Sequence, residues 1–407
     1  MGLKYTSTVT VPPPYLMVLG AGPFQGPLLT TARGMGVTTV ALDQNPAAAS
    51  RALADAFVQC DIADISAVLA CARARNIIGV VSAASDVALP AHAAVAEALG
   101  LPGPTPDSVR AARNKERAAL RLRATGVPCP ETVSAESGAP VDVGGYPIIV
   151  KPAVGAGGRG VSIVERSESL GGAVSLARQY GSPLYQRFVT GAPLGLEAFI
   201  VGGRIRACFA FEDQLGADFP SPIGHATPAP RYVPHEAQLQ SLAQSVVDAL
   251  GLTDGGLNLD LRWGPDGPVV LEVNPRSGGA QLGPLVRYAY GVDLCAAAVS
   301  VALGIDPAPH LEPKLRRPAA TRLFVREGRG IVRLSRSAGR DPLAHRRTDP
   351  RLITAHLDIH DGQPSTTGVD RWSLLGHCLV SGATVDEAIA LADEIDDHVS
   401  ASVEVLP

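Results

Sequence analysis

Residues 259–276, LDLRWGPDGPVVLEVNPR, leave the chain little freedom. Two apolar β-runs are joined by a Gly-Pro-Asp-Gly turn, which predicts an antiparallel hairpin. Glu272 and Asn274 are two residues apart and project from one face of the second strand. A turn near 266–267 brings Asp260 close to opposite Glu272 on that same face. Glu272 sits inside the apolar run VVLEV, an odd place for a carboxylate that only meets water. Three converging oxygen side chains suit a hard dication that also holds phosphate oxygens. Asp260, Glu272 and Asn274 are therefore the candidate metal ligands. Arg276, two residues further along, is the candidate catalytic residue, because its fork can grip phosphoryl or carboxylate oxygens. The competing reading is a charged hairpin face in solvent.

The rest of the chain bounds what this hairpin can serve. At 407 residues, two or three packed domains are expected, and 46% hydrophobic against 18% charged residues is a globular profile. A net charge of -4 argues against a nucleic-acid partner, which calls for a basic face. Its Ala-rich runs are broken by Arg, Asp and Gly before reaching bilayer length, so no membrane partner is expected. Residues 1–14 carry a lone Lys4 and no apolar block, which reads as a flexible leader rather than a secretion signal. Six singly scattered cysteines, with no CxxC pair, fit reduced, mostly buried thiols and a cytoplasmic setting.

Residues 15–105 alternate short apolar runs with helical stretches, giving a small parallel α/β domain. Its turn GAGPFQG (20–26), with Asp43 downstream, is a weak dinucleotide signal, since the last glycine falls one place late for GxGxxG. It reads better as a loop bordering a substrate site at the carboxyl ends of the strands. One helix is expected over 107–125. Strands at 146–154 and 161–165 flank GAGGRG as a hairpin, not as the strand–loop–helix of a P-loop. Segment 212–235 is Pro-rich and expected to be irregular, so His225 and His235 read as loop residues. A small β-rich end domain from 310 finishes with a helix at 385–399, capped by Thr384.

The chain has 31 arginines but four lysines: Lys4, Lys115, Lys151 and Lys314. Where charge alone suffices this sequence uses Arg, so a surviving Lys marks a place for a compact ammonium. Lys151 ends an apolar strand, and a glycine loop over phosphates could follow it, its backbone N–H groups donating. The competing reading is an ordinary hairpin with a snorkelling Lys.

Lys115, VKP with Lys151, GAGGRG, QRFVTG and LEVNPR occur in an order that resembles the ATP-grasp superfamily over about 15–400. GHATPAP (224–230), GLTDGGLNLDLRW and NPRSGGAQLGPLVRYAYGVDL (274–294) are similar to its carboxylate–amine, or L-amino acid, ligase branch. The resemblance implies an α/β (α+β) chain of three parts: a Rossmann-like pre-ATP-grasp domain (15–105), an ATP-lid subdomain (106–190, with a helical linker 106–126) and a central metal and substrate domain (191–309). The β-rich 310–407 follows as an extension. It also implies ATP and one or two Mg²⁺ or Mn²⁺ as cofactors. Lys115 and Lys151 would contact phosphates beneath the loop of Gly155, Ala156, Gly157, Gly158 and Gly160. Gln186, Arg187, Phe188 and Val189 would line the adenine, their backbone imitating a base-pair edge. Two positions depart from the pattern: Gln186 stands where Glu is usual, and Pro193 where a ribose-binding Glu is common. Glu197 falls at another frequent acidic position and joins the nucleotide set.

The reaction implied is ATP-dependent activation of a carboxylate as an acyl-phosphate, followed by attack of an amine. Its partners are small-molecule acid and amine substrates, and a homodimer is compatible with them. Glycines 278 and 279 after Arg276 would let the acyl-phosphate approach backbone. The rivals are a carboxyphosphate-forming enzyme of purine synthesis using bicarbonate, a kinase-like ATP-grasp protein without an amine step, an NAD-dependent oxidoreductase and a non-catalytic nucleotide sensor.

Overall fold

The computed structural model describes residues 14–136, 143–155, 157–216, 221–328, 330–335, 341–364, 368–369 and 372–406. The chain divides into two compact units, residues 1–106 with 295–307, and residues 107–294 with 308–407.

In the first unit, strands β1 (Tyr15–Leu19), β2 (Thr39–Asp43), β3 (Ala56–Gln59) and β4 (Ile77–Val81) form a parallel sheet in the order β3-β2-β1-β4. Helix α1 (Gly26–Gly34) makes the crossover from β1 to β2 and α2 (Ile65–Arg73) that from β3 to β4, and α3 (Leu89–Leu99) follows the last strand. The run YLMVL is apolar throughout because β1 is buried on both faces. Met17 and Leu19 join one core, Leu16 and Val18 the other. Residues 295–307, grouped by sequence with the central domain, return to this unit. Gly79 on β4 has no room for a side chain, since a Cβ there would lie 2.6 Å from the carbonyl oxygen of Ala302.

The second unit opens with α4 (Pro106–Arg113) and α5 (Lys115–Ala124), where sequence predicts one helix. The break is Asn114: its backbone is extended, and its side chain accepts from Arg117 N at 3.0 Å as an N-cap. That cap places Lys115 at the first residue of α5. Strands β5 (Thr132–Ser134), β6 (Ile148–Pro152), β7 (Ser162–Val164) and β8 (Pro183–Arg187) form an antiparallel sheet ordered β5-β8-β6-β7, covered by α6 (Leu170–Arg178).

Strands β9 (Ala192–Val201), β10 (Arg204–Leu215), β11 (Pro222–Thr227), β12 (Gly255–Gly264) and β13 (Gly267–Asn274) build one side of a larger sheet, with α7 (Glu236–Leu250) between β11 and β12. Helices α8 (Leu282–Tyr290), α9 (Leu294–Ala302) and α10 (Ala308–Leu311) follow. Then come β14 (Ala319–Glu327), β15 (Ile331–Leu334), β16 (Leu352–Leu357), β17 (Gly368–Val369), β18 (Trp372–Ser381), α11 (Val385–Ser402) and β19 (Val403–Leu406). The sheet runs β13-β12-β9-β10-β11-β14-β18-β16, so residues after 310 extend the central sheet. Segment 212–235 is not irregular throughout, because β10 continues to Leu215 and β11 spans 222–227.

Strand alternation sorts the sheet into two faces. Leu194, Leu196, Leu257 and Leu259 are buried with Leu239, Val246 and Leu250 of α7. Each such leucine contributes on the order of 2 kcal/mol of burial. Further along, α11 packs on Phe324, Leu375 and Val380, and Thr384 caps it by accepting from Glu387 N at 3.1 Å. The alternate residues Gly195, Glu197, Asn258 and Asp260 line the opposite face. All six cysteines are free thiols, Cys60 and Cys378 buried and the other four half-buried. Among the described residues no single helix is long and apolar enough to cross a membrane.

Candidate active site

The β12–β13 hairpin pairs Asp260 with Glu272 and Asn258 with Asn274, and Leu271 bulges between the Asp260–Glu272 and Leu261–Val270 rungs. Burial pushes the Asp260 carboxyl up to about 7, and the neighbouring Glu272 charge adds to the shift. Asn274 donates from Nδ2 to Asn258 Oδ1 at 3.3 Å, which leaves its own amide oxygen as an acceptor. Two carboxylates held together against their own repulsion, beside an oriented amide oxygen, fit a hard dication. No group of three His, Cys, Asp or Glu side chains suited to a metal occurs among the described residues, so two carboxylates and an amide make up this set. So few protein ligands leave coordination positions for phosphate oxygens.

Both expected lysines reach this face. Lys115 Nζ lies 3.2 Å from Glu272 Oε1 and donates to the Gly155 carbonyl at 3.0 Å, tying the glycine loop to β13. Lys151, on β6, is 5% exposed. Burial lowers its ammonium to about 8, Glu272 and Asp260 opposing the shift and Lys115 assisting it. Gly157, Gly158 and Gly160 have φ of 67°, 72° and 71°, so this turn needs glycine. Ala156 lies outside the described residues.

Arg276 opens a tight turn. Its N–H donates to Asn274 O at 2.8 Å and its Nη1 to Ser277 O at 3.2 Å, while its charge acts on both Asp260 and Glu197. Glu197, expected in the nucleotide set, lies fully buried against this turn. Its two oxygens accept from Gly278 N at 3.1 and 3.0 Å, and the Ser277 and Asn258 side chains also bond to it. Burial pushes its carboxyl up to about 8. Gly278 is small for an internal reason: a Cβ there would lie 2.4 Å from Leu282 Cδ1 and 3.0 Å from Glu197 Oε2.

In the adenine segment, Gln186 is buried and donates from Nε2 to Thr132 Oγ1 at 3.0 Å. Arg187 N donates to Glu131 O at 2.9 Å, its side chain exposed, and Phe188 and Val189 follow β8 half-buried. Gln186, Lys115 and Glu272 line one small cavity with Leu122 and Val270. That cavity brings together residues expected at opposite ends of a nucleotide.

Sequence reasoning missed Asp213 and His225. Paired across β10 and β11, they are joined by a 2.7 Å bond between His225 Nδ1 and Asp213 Oδ1, and both are buried. The signal was present in the period-2 pattern of ACFAFEDQL, which carries β10 beyond Phe211. In the first unit, Asp43 accepts from Ala21 N and Asn45 N at 2.8 Å each, which closes the GAG turn on itself. A carboxylate spent on its own loop is not the ribose ligand of a dinucleotide site.

Residues 112–280 match the profile of the ATP-grasp domain. The chain is 28% identical over 348 residues to the uncharacterized protein y4rH of Sinorhizobium fredii, covering 80% of this chain and 69% of that one. It is also 28% identical to carnosine synthase 1 of Mus musculus over 74% of this chain, although the match spans only 41% of that longer protein. Formate-dependent phosphoribosylglycinamide formyltransferase of Burkholderia lata is 27% identical, with 92% of each chain covered. Among solved structures, L-amino acid ligase from Bacillus licheniformis superposes with a TM-score of 0.78 at 20% identity, over 98% of this chain and 99% of that one. Carboxyaminoimidazole ribonucleotide synthase from Aspergillus clavatus superposes at 0.75 and 17%, over 95% and 98%. Residues 112–280 thus carry an ATP-grasp domain, and the chain shares the fold of these solved structures along nearly its whole length.

Proposed function

We propose that the protein is an ATP-dependent carboxylate–amine ligase. A carboxylate oxygen attacks the γ-phosphorus of ATP, the bond to ADP breaks, and an acyl-phosphate results. An amine, from an amino acid in our reading, then attacks the acyl carbon and phosphate leaves. Lys115 and Lys151 neutralise phosphate charge, and Arg276 grips the carboxylate side. Asp260, Glu272 and Asn274 would hold Mg²⁺ or Mn²⁺, which supplies further neutralisation of the phosphoryl oxygens. Most of the catalysis is then positioning and electrostatics.

The observation that carries this reading is Glu272, which faces Asp260 across the hairpin and also meets Lys115. The likeness to carnosine synthase and L-amino acid ligase supports an amine acceptor. The likeness to the carboxyaminoimidazole enzyme keeps bicarbonate as the alternative acid. The test is ATP-dependent phosphate release with proteinogenic amino acids in pairs, with formate and an amine, and with bicarbonate and an amine. Release that needs both an organic acid and an amine supports the proposal. Release with bicarbonate alone as the acid favours the alternative, and release that ignores the amine refutes both.

A further inference from the structure

The ligase reaction requires the amine to lose a proton as its C–N bond forms. Among the described residues of this sheet face, most candidates to accept it are already engaged. Asp260 and Glu272 belong to the metal set, Glu197 is bonded to Gly278, Ser277 and Asn258, and Lys115 and Lys151 are cations. His235 lies on the other face, its ring tilted against Trp263 of the α7 core with centroids 4.6 Å apart.

The Asp213–His225 pair is placed differently. On the polar face the strands run β13, β12, β9, β10, β11, and Asp260 pairs with Gly195 of β9. Gly195 has no side chain to separate β12 from β10, and the Asp213 carboxylate fills that place. A Cβ at Gly195 would lie 2.8 Å from Asp213 Oδ1. The carboxylate therefore sits about one strand spacing, roughly 5 Å, from the Asp260 strand. His225 completes the row on β11. An ionised carboxylate can only accept, so in the neutral imidazole His225 Nδ1 carries the proton toward Asp213 and Nε2 is the nitrogen able to take one. Phe211 packs edge-on at 6.2 Å and Thr321 Oγ1 accepts from the His225 backbone N at 3.2 Å, which fixes the ring's strand. The imidazole keeps 9% of its side-chain surface open.

We infer that Asp213 and His225 form the proton-accepting pair of the amine step, with His225 Nε2 taking the proton that the attacking nitrogen sheds. The amine lone pair makes the C–N bond, the acyl C–O bond breaks, and phosphate departs with that electron pair. The N–H proton passes to His225, and the imidazolium faces Asp213 until it returns the proton to solvent or phosphate. This rests on the ligase reading.

Hydroxylamine separates the two ideas, because it is uncharged at neutral pH and traps acyl-phosphates as hydroxamates without a protein base. The acids are the proteinogenic amino acids and formate, with hydroxylamine or a second amino acid as nucleophile. In His225→Asn, amide formation should fall by about 100-fold or more while acid-dependent hydroxamate formation stays within about threefold of wild type. Asp213→Asn should move amide formation the same way. Gly195→Ala, which pushes only on the carboxylate end, should do so more mildly. Equal loss of hydroxamate and amide would make His225 a binding or structural residue, and no loss of either would leave it without a role; both overturn the inference. Wild type that forms amide but no acid-dependent hydroxamate, or neither, overturns the acyl-phosphate reading and this inference with it.

Discussion

Gly256→Ala tests whether the Arg276 turn is set by close contact with β12. Gly256 pairs with Phe199 in mid-sheet and has an ordinary backbone conformation, so alanine strains space and not φ. A Cβ there would lie 2.3 Å from Ser277 N, 2.3 Å from Ser277 Oγ and 2.8 Å from Ser277 Cα. Ordinary contact starts near 3.5 Å, so the turn must retreat by about 1 Å. Overpacking of this kind costs about 1–3 kcal/mol, and losing the buried hydrogen bond from Gly278 N to Glu197 adds about 1–2 kcal/mol. We expect a loss of about 2–5 kcal/mol, read as a lower urea midpoint at unchanged slope. Turnover should fall about 100-fold, the cost of misplacing a reacting group by about 1 Å. Gly172→Ala is the control. It lies in α6 with nothing within 4 Å of its Cβ, so it should stabilise by up to about 1 kcal/mol. If Gly256→Ala unfolds and turns over like wild type, the turn is not held by this contact and the argument fails.

Glu272→Ala should abolish turnover, a loss of several kcal/mol of transition-state stabilisation, while its half-open pair with Lys115 costs about 1 kcal/mol of folding at most. Circular dichroism with phosphate release checks both halves, and near-wild-type release would dismiss the assignment. Lys151→Arg should damage ATP use far more than Lys314→Arg, because the first is buried and the second is not; matching kinetics would show that charge alone matters there. Lys151 also predicts opposite pH trends. Its native pKa of about 8 lies below the ordinary 10.5, so between these values the unfolded chain binds more protons and stability rises with pH. Over the same range the native ammonium is lost and ATP-dependent turnover falls. Subtracting the stability profile of Lys151→Met from that of wild type isolates this contribution, and a falling difference would contradict it.

Much of the site was legible because its signals are local. The hairpin at 259–276 carries its own turn and alternation, so facing of Asp260 and Glu272 followed from sequence. The scarcity of lysine marked Lys115 and Lys151, and both stand at one carboxylate pair. What stayed hidden depends on distant pairing. SPIGHATPAP reads as broken because of its prolines, yet residues 222–227 pair with β10 and β14, and that pairing makes a strand. The reach of Asp213 over Gly195 is a cross-strand property with no trace in either segment alone. The single helix expected over 107–125 failed at Asn114, whose cap bond competes with helix continuation. Glu197 and Gly278 were both read toward a ligand, whereas each is committed to the other.

The central claim is that a carboxylate, and not water, attacks the γ-phosphorus. Transfer of oxygen-18 from a labelled acid to the phosphate product tests it most directly. With the acid labelled in both carboxylate oxygens and the amine present, the account predicts one labelled oxygen in each inorganic phosphate released and one kept in the amide. Phosphate that carries no label, with both labelled oxygens still on the acid, would contradict it.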